Sequence, residues 1–519
     1  MTAETQNWSW MLKQNGIFLA AFALLLFCMT YAHQKKFDGP TPVSRLDLLH
    51  SLLIQRTVNI DAYHKNTPDK AVFQGSYYSD KAPGTAALAL VPFATAAGIL
   101  WAAGVSLDSS LGWLFSSWVA CAGSIGLITA FGGVALFAWL SKHVSPSWAL
   151  VTTLAVFLGA APLPYATMMF SHALVVGLLA IAVWAIHKNA EYGMRSAECK
   201  LGERRMIRRF KANRWSLLAG HACGWALASE YSSGLVVVGL FVWFVFMNNA
   251  ASTMNPEVGR ATPCAPGRVA DNNGAHGVTR PTLMARLRAA WLSAIPFGLA
   301  AIPPLLLIPA YSWACFGNPF ILPYSLQASF PAMQEGVYAI KWPNPETAFN
   351  LLFTPARGLF FWTPFFVMAG IGYWQLIQKS RGLFWLTYLV PLLHIIVISG
   401  RTWDWPAGPA WGPRLLSPMI PLLALPCAYG LQRFPWMGLP LAVYSILVTT
   451  LATLTDACPS YPTHPNPLFD LNIPLFLKGE FSPNLGTTLG LPPFVSVALF
   501  YAVLIGGFWW LWRQLPGRE

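Results

Sequence analysis

Charge is scarce in this chain. Asp, Glu, Lys and Arg make up 10% of its 519 residues and 55% are hydrophobic, where a soluble domain carries about a quarter charged. So little polar side chain cannot coat a water-facing globule of this length, which excludes an ordinary soluble domain. Glycine-rich phosphate loops, a GxGxxG turn and a nucleophile elbow are all missing, which argues against a nucleotide-binding site. The eight cysteines stand singly, without CxxC and without histidine at ligand spacing, so neither a metal site nor a disulfide framework is expected. One bridge, between Cys315 and Cys458, stays open because both fall in loops expected outside. No internal repeat is evident. Carboxylates are fewer than cations, leaving a net charge of +13. The basic residues nonetheless gather in two loops between apolar segments, the pattern of cytoplasmic loops rather than of a nucleic-acid surface.

Aromatics and apolar runs are abundant instead, with 24 Trp, 33 Phe and a mean hydropathy of +0.48. Met1 to Gly16 is polar, and Ile17 to His33 lacks the basic start and small-residue cleavage site of a signal peptide, so it reads as a retained membrane helix. Scanning for runs of about 20 apolar residues gives about thirteen candidates between residues 17 and 512. Because lipid leaves no backbone group unpaired and no barrel alternation is present, they must be helices. The expectation is an all-α polytopic protein, a single membrane domain over 1–519 with about 12 to 14 transmembrane helices. Residues 188–214 hold nine Lys or Arg against three Glu, so 188–215 is placed in the cytoplasm, as is the Asn-, Gly- and Pro-rich linker 250–290. The segments 313–360, 401–414 and 456–490 then face outside. Parity does not close over the first third: either one stretch between Thr85 and Leu140 fails to cross, or 111–140 hides two short crossings.

Residues 34–84 form a first outer loop of unusual length, which is expected to be ordered and functional. Ser44 is placed to cap an amphipathic helix running to about Arg56, lying in the membrane interface with Leu46, Leu49 and Leu53 on one face and Asp47 and His50 on the other. Thr57 to Asp61 reads as extended, and Asn66, Thr67 and Pro68 as a turn. Asp38, Asp47, Asp61, Asp69 and Asp80 alternate here with Arg45, Arg56, Lys65, Lys70 and Lys81, a density of mixed charge that suits a polar or anionic substrate at a membrane surface.

The run Asp69-Lys70, then Gly75-x-Tyr77-Tyr78-Ser79-Asp80-Lys81-Ala82-Pro83-Gly84, resembles the end of the first periplasmic loop of GT-C fold glycosyltransferases of the protein O-mannosyltransferase and lipid A aminoarabinose transferase type. Phe316-Gly317-Asn318-Pro319, Pro355-Ala356-Arg357-Gly358 and Trp405-Pro406-Ala407-Gly408 through Trp411-Gly412-Pro413-Arg414 look like outer-loop motifs of bacterial members. The resemblance implies a GT-C-like bundle that moves a sugar from a polyprenyl-phosphate carrier to an acceptor hydroxyl on the outer face, with Lys81 on the carrier phosphate. Where relatives place an acidic pair after the first helix, this chain has Thr41-Pro42-Val43-Ser44-Arg45. The general base is therefore assigned to Asp69 first and Asp61 second, with Asp80 orienting Lys81.

Arg357 and Arg414 each begin a membrane segment on the outer side, where guanidinium groups clamp phosphate. With Lys81 and Arg45 they make up the expected phosphate set. Tyr77, Tyr78, Glu230, Trp405 and Trp411 join Asp80 as substrate-binding candidates, Glu230 because an acidic residue flanked by membrane segments is functional by default. His172, His221 and His394 read as hydrogen-bonded core residues. No cofactor is predicted, and whether a divalent cation takes part is open. The expected partners are membrane lipids, the lipid-linked donor and a glycan, lipid or protein acceptor, with no nucleic acid. The expected setting is the inner membrane of a bacterium, with the site facing the periplasm. A flippase for lipid-linked sugars and a polysaccharide ligase or polymerase are the alternatives.

Overall fold

The computed structural model describes residues 3–33, 39–197, 202–253, 283–334 and 339–515. Among them, eight helices are long and apolar enough to cross a membrane, among them Gly84–Ala102, Ser110–Leu140, Arg381–Ile398 and Pro493–Gln514. Three shorter apolar helices accompany them, Asn15–Tyr31, Pro146–Leu158 and Tyr231–Met247. The chain is thus a multi-pass membrane protein whose long helices are fewer than the apolar runs of its sequence. Proline explains part of the difference. The run 361–377 is broken at Pro364, which opens a short 3-10 turn, and the helix proper is confined to the 12 residues Met368–Lys379. At 1.5 Å per residue that spans roughly 18 Å, well short of the hydrocarbon core.

Ser110–Leu140 is one continuous rod carrying a π-helical turn at Ala122–Gly126, so 111–140 holds one helix, not two crossings. Residues 188–215, expected as a loop, are largely helical. Ser171–Ala197 and Gly202–Ser229 run through them as a packed pair, with Leu283–Phe316 against the second. Dense charge marks water around a segment; it does not mark an interruption of its backbone. Of the linker 250–290, residues 254–282 lie outside the described residues. Small residues let these helices close on each other. A Cβ added to Gly132 would fall 2.3 Å from the Gly177 Cα, and one added to Gly84 2.6 Å from the Ala228 carbonyl carbon.

The first loop departs most from expectation. Its helix is Pro40–His50, entered through Gly39 with proline in the first turn, and Thr41 to His50 are all buried. It therefore sits inside protein and not in the membrane interface. It packs on Gly84–Ala102, and what read as the water-facing side carries Asp47, which accepts from Asn66 Nδ2 at 3.0 Å, and His50, stacked on Trp113. Of Thr57 to Asp61, expected to be extended, Asn59 alone bridges to Tyr78, between bends at Thr57 and Val58 and a turn that starts at Asp61. Strands Lys70–Phe73 and Ser76–Ser79 then form an antiparallel hairpin, a small departure from an all-helical chain. Gln74 (φ 50°) and Gly75 (φ 86°) close it, both left-handed as a two-residue hairpin turn requires.

Among the later loops, 313–360 begins inside helix Leu283–Phe316 and includes a helix Pro345–Phe353 capped by Asn344, whose side chain accepts from the Thr347 amide at 2.9 Å. The 456–490 loop is tied to the bundle by Asn472, which donates to Thr455 Oγ1 at 3.0 Å and to the Asp456 carbonyl at 2.8 Å. Neither Cys315 nor Cys458 is in a disulfide, so the open bridge does not form.

Candidate functional site: a buried polar cavity at one end of the bundle

The hairpin register decides the centre of the site. Lys70 pairs with Ser79, so Asp69 and Asp80 flank the open end of the ladder and Lys81 follows at once. The Lys81 ammonium sits 2.8 Å from Asp69 Oδ2 and 3.0 Å from Asp80 Oδ2, with all three residues buried. Thr41 donates to Asp69 Oδ2 at 2.7 Å, while Ser44 reaches Asp80 Oδ1 at 3.4 Å. The two carboxylates thus differ. Both oxygens of Asp80 are engaged, whereas both contacts of Asp69 fall on Oδ2 and its Oδ1 has no hydrogen-bond partner among the described residues.

Electrostatics separates them further. Burial pushes Asp69 upward, but Lys81, the Thr41 hydroxyl and the more distant Arg414 outweigh it and hold the carboxyl below its ordinary value. At Asp80 burial prevails, aided by the charge on Asp69, and the carboxyl is raised to about 6 despite Lys81. Burial alone would lower Lys81, yet its two carboxylates raise it, so it stays a cation.

These residues line a cavity of about 140 Å³ together with Arg45, Phe170, Ser171, His172, Glu230 and Arg414. Arg45 donates from Nη1 to the Met169 carbonyl at 3.0 Å and from Nη2 to Ser171 Oγ at 3.2 Å. The Ser171 hydroxyl in turn donates to Glu230 Oε2 at 2.6 Å. Close contact between Gly84 and Ala228 fixes this geometry, because Lys81 lies three residues before one and Glu230 two residues after the other. Arg414 opens a 3-10 turn held by Trp411, whose backbone exchanges hydrogen bonds with the Tyr165 hydroxyl at 3.0 and 2.6 Å. The Arg414 guanidinium lies over the Phe170 ring, 5.1 Å from its centroid, and has no hydrogen-bond or ion-pair partner among the described residues.

Six expected residues therefore meet in one cavity: Asp69, Asp80, Lys81, Arg45, Glu230 and Arg414. The others lie elsewhere. Asp61 is exposed and accepts from the Tyr77 amide at 2.6 Å. Tyr77 stacks on His64 at 4.1 Å, and Tyr78 packs edge-on to Phe316. Trp405 packs on Tyr461, and Trp411 is buried against Trp362. Arg357 is buried with its donors spent on the carbonyls of Ala356, Pro406, Gly408 and Pro459, so it holds the 406–408 turn and does not reach the cavity. Asp38 lies outside the described residues.

Sequence reading missed the opposite wall. Arg401 pairs with Asp404 at 3.0 Å, and both line the cavity with Trp403, Tyr324 and Gln327. The available signal was an oppositely charged pair three residues apart in a Trp-rich loop. His172, expected as a core residue, also lines the cavity, and its Nδ1 is buried without a partner. Among the described residues no group of three or more His, Cys, Asp or Glu is placed to hold a metal ion. No family model matches the chain, and no curated protein is significantly similar to it.

Proposed function

We propose that this protein is a membrane glycosyltransferase that moves a sugar from a polyprenyl-phosphate carrier to an acceptor hydroxyl at the outer face of a bacterial inner membrane, in a bundle of the GT-C kind. The observation that carries the reading is the pairing, in one buried cavity, of a carboxylate with a free oxygen, Asp69, and a cation with no counter-ion among the described residues, Arg414.

Sugar transfer needs both. The acceptor oxygen attacks the anomeric carbon, the bond from that carbon to the phosphate oxygen breaks, and the phosphate leaves with the electron pair. Asp69, ionised at neutral pH, takes the acceptor proton on Oδ1. Arg414 and Lys81 stabilise the charge that builds on the departing phosphate. Glu230 and the Arg401–Asp404 pair, which line the same cavity, hold sugar hydroxyls in this reading. Membrane lipid holds the polyprenyl tail beside the cavity.

The decisive experiment needs neither sugar nor acceptor. Thermal unfolding of purified protein is followed with undecaprenyl phosphate and with the phosphate-free polyprenol. A ligand at 100 times its dissociation constant stabilises by about 2.7 kcal/mol. Stabilisation that requires the phosphate, Lys81 and Arg414 supports the reading and justifies screening sugars. Equal shifts with both lipids, together with movement of a lipid-linked sugar across liposomes, would replace it with a transporter.

A further inference from the structure

Two helices that end in the cavity share a second groove farther along their length. Ser171 opens one helix and Glu230 follows the other. The groove is lined by Trp184 and Tyr192 of the first and by Arg214, Trp215 and Leu218 of the second. At 1.5 Å per residue these positions lie roughly 20 to 30 Å from the cavity along the bundle. Trp184 and Trp215 meet edge to face with centroids 4.8 Å apart, and Asn189 donates to Ser216 at 2.7 Å, stapling the helices at this level. The Trp184 Nε1 donor is buried without a partner. Arg214 is exposed, with no hydrogen bond or ion pair among the described residues. Arg204, Arg205, Arg208, Arg209 and Lys211 precede it on the same helix.

We propose that this groove binds the phosphate head group of an anionic phospholipid from the adjoining leaflet. A guanidinium meets a phosphodiester through two parallel hydrogen bonds, and the indole N–H supplies a third. Tyr192 ends the apolar span that starts at Ser171, and tryptophans paired about two turns inside that end, with a polar edge and an apolar face, suit the boundary between acyl chains and glycerol. The basic run just beyond concentrates anionic lipid at the mouth of the groove. The site is separate from the cavity and does not depend on the transfer reaction.

Native mass spectrometry of the full-length protein, released from micelles of mixed phosphatidylglycerol and phosphatidylcholine, tests this. Wild type is expected to retain one phosphatidylglycerol in preference to phosphatidylcholine. Arg214→Ala lowers that retention at least fivefold, Trp184→Phe lowers it by less, and Arg214→Lys keeps most of it. Thermal midpoints in phosphatidylcholine alone stay within error for all three, because Arg214 is exposed and Phe preserves the ring packing. Inorganic phosphate gives no stabilisation, which separates a lipid site from a free-anion site. Equal retention by wild type and Arg214→Ala overturns the proposal, as does retention lost only when Arg204 to Lys211 are neutralised, which would assign the attraction to the basic run alone.

Discussion

Lys81 and Asp69 stand twelve residues apart in sequence and 2.8 Å apart in space. The hairpin between them makes the difference: pairing Lys70 with Ser79 folds the segment back so that the acid before one strand meets the lysine after the other. Asp80 completes a buried cation held between two carboxylates of unequal character.

Removing members of this trio separates chemistry from structure. Asp69→Asn preserves shape and is expected to lower transfer by about 10²-fold or more, the usual contribution of a general base. Lys81→Ala strands two buried carboxylates and is expected to cost on the order of 3–5 kcal/mol. Thermal unfolding of both variants beside a transfer assay checks the contrast. Full transfer by Asp69→Asn would move the base elsewhere in the cavity.

Arg414→Ala leaves no hydrogen bond broken, so its thermal midpoint without ligand should stay near that of wild type. Its donor KM should rise tenfold or more while phosphate-dependent stabilisation disappears. Arg414→Lys should recover only part, since an ammonium lacks the planar fork. Unchanged donor affinity in Arg414→Ala would remove this residue from the phosphate site.

Arg357→Ala should behave in the opposite way. It leaves the carbonyls of Ala356, Pro406 and Gly408 without their donor, while that of Pro459 keeps the Ala410 amide, at about 1–3 kcal/mol for each that is left buried. The expected outcome is a lowered thermal midpoint with a donor KM in the surviving folded protein changed far less than by Arg414→Ala. A larger change in KM than in stability would show that Arg357 does meet the phosphate.

Asp80 gives stability a pH dependence whose sign follows from its raised value. Its carboxyl titrates at about 6 when folded, against 3.8 ordinarily, chiefly because it is buried. Between those values the folded state holds more protons than the unfolded one, so this contribution is present below the ordinary value and is lost as pH rises through about 4 to 6. Asp69 is shifted the other way, and its contribution is lost only as pH falls below its ordinary range. Asp47, raised to about 7 by its own burial, is common to both proteins and cancels in a difference. The thermal midpoint of wild type minus that of Asp80→Asn should therefore fall from pH 4 to pH 6 and level off above. A flat difference would mean that Asp80 is not desolvated.

Gly84→Val drives a side chain into the Ala228 backbone and should cost about 1–3 kcal/mol or more, as overpacking does. Since this contact holds Lys81 near Glu230, phosphate-dependent stabilisation should fall with it. Gly75→Val, strained at its turn but clear of neighbours, serves as a comparison; equal losses at the two positions would deny the contact its role.

The membrane class of this protein was legible in composition alone, because hydrocarbon tolerates only apolar side chains and closed backbone hydrogen bonding, and both leave a linear signature. That the first loop is ordered was legible too, from aromatics and mixed charge where the chain otherwise has little charge. Register and burial were not. Amphipathic spacing over residues 44–56 reports that one face differs from the other, without saying whether the polar face meets water or other protein, and here Asp47 and His50 meet other protein. Likewise an arginine at the start of an apolar run looks the same whether it ends on carbonyls, as Arg357 does, or faces an open cavity, as Arg414 does. That choice is made by long-range packing: the hairpin that returns Lys81 to Asp69, the glycine contact that brings Glu230 alongside, and the Tyr165–Trp411 clasp that sets Arg414 opposite. Each joins residues far apart in the chain, and only the folded structure decides which polar groups are already satisfied.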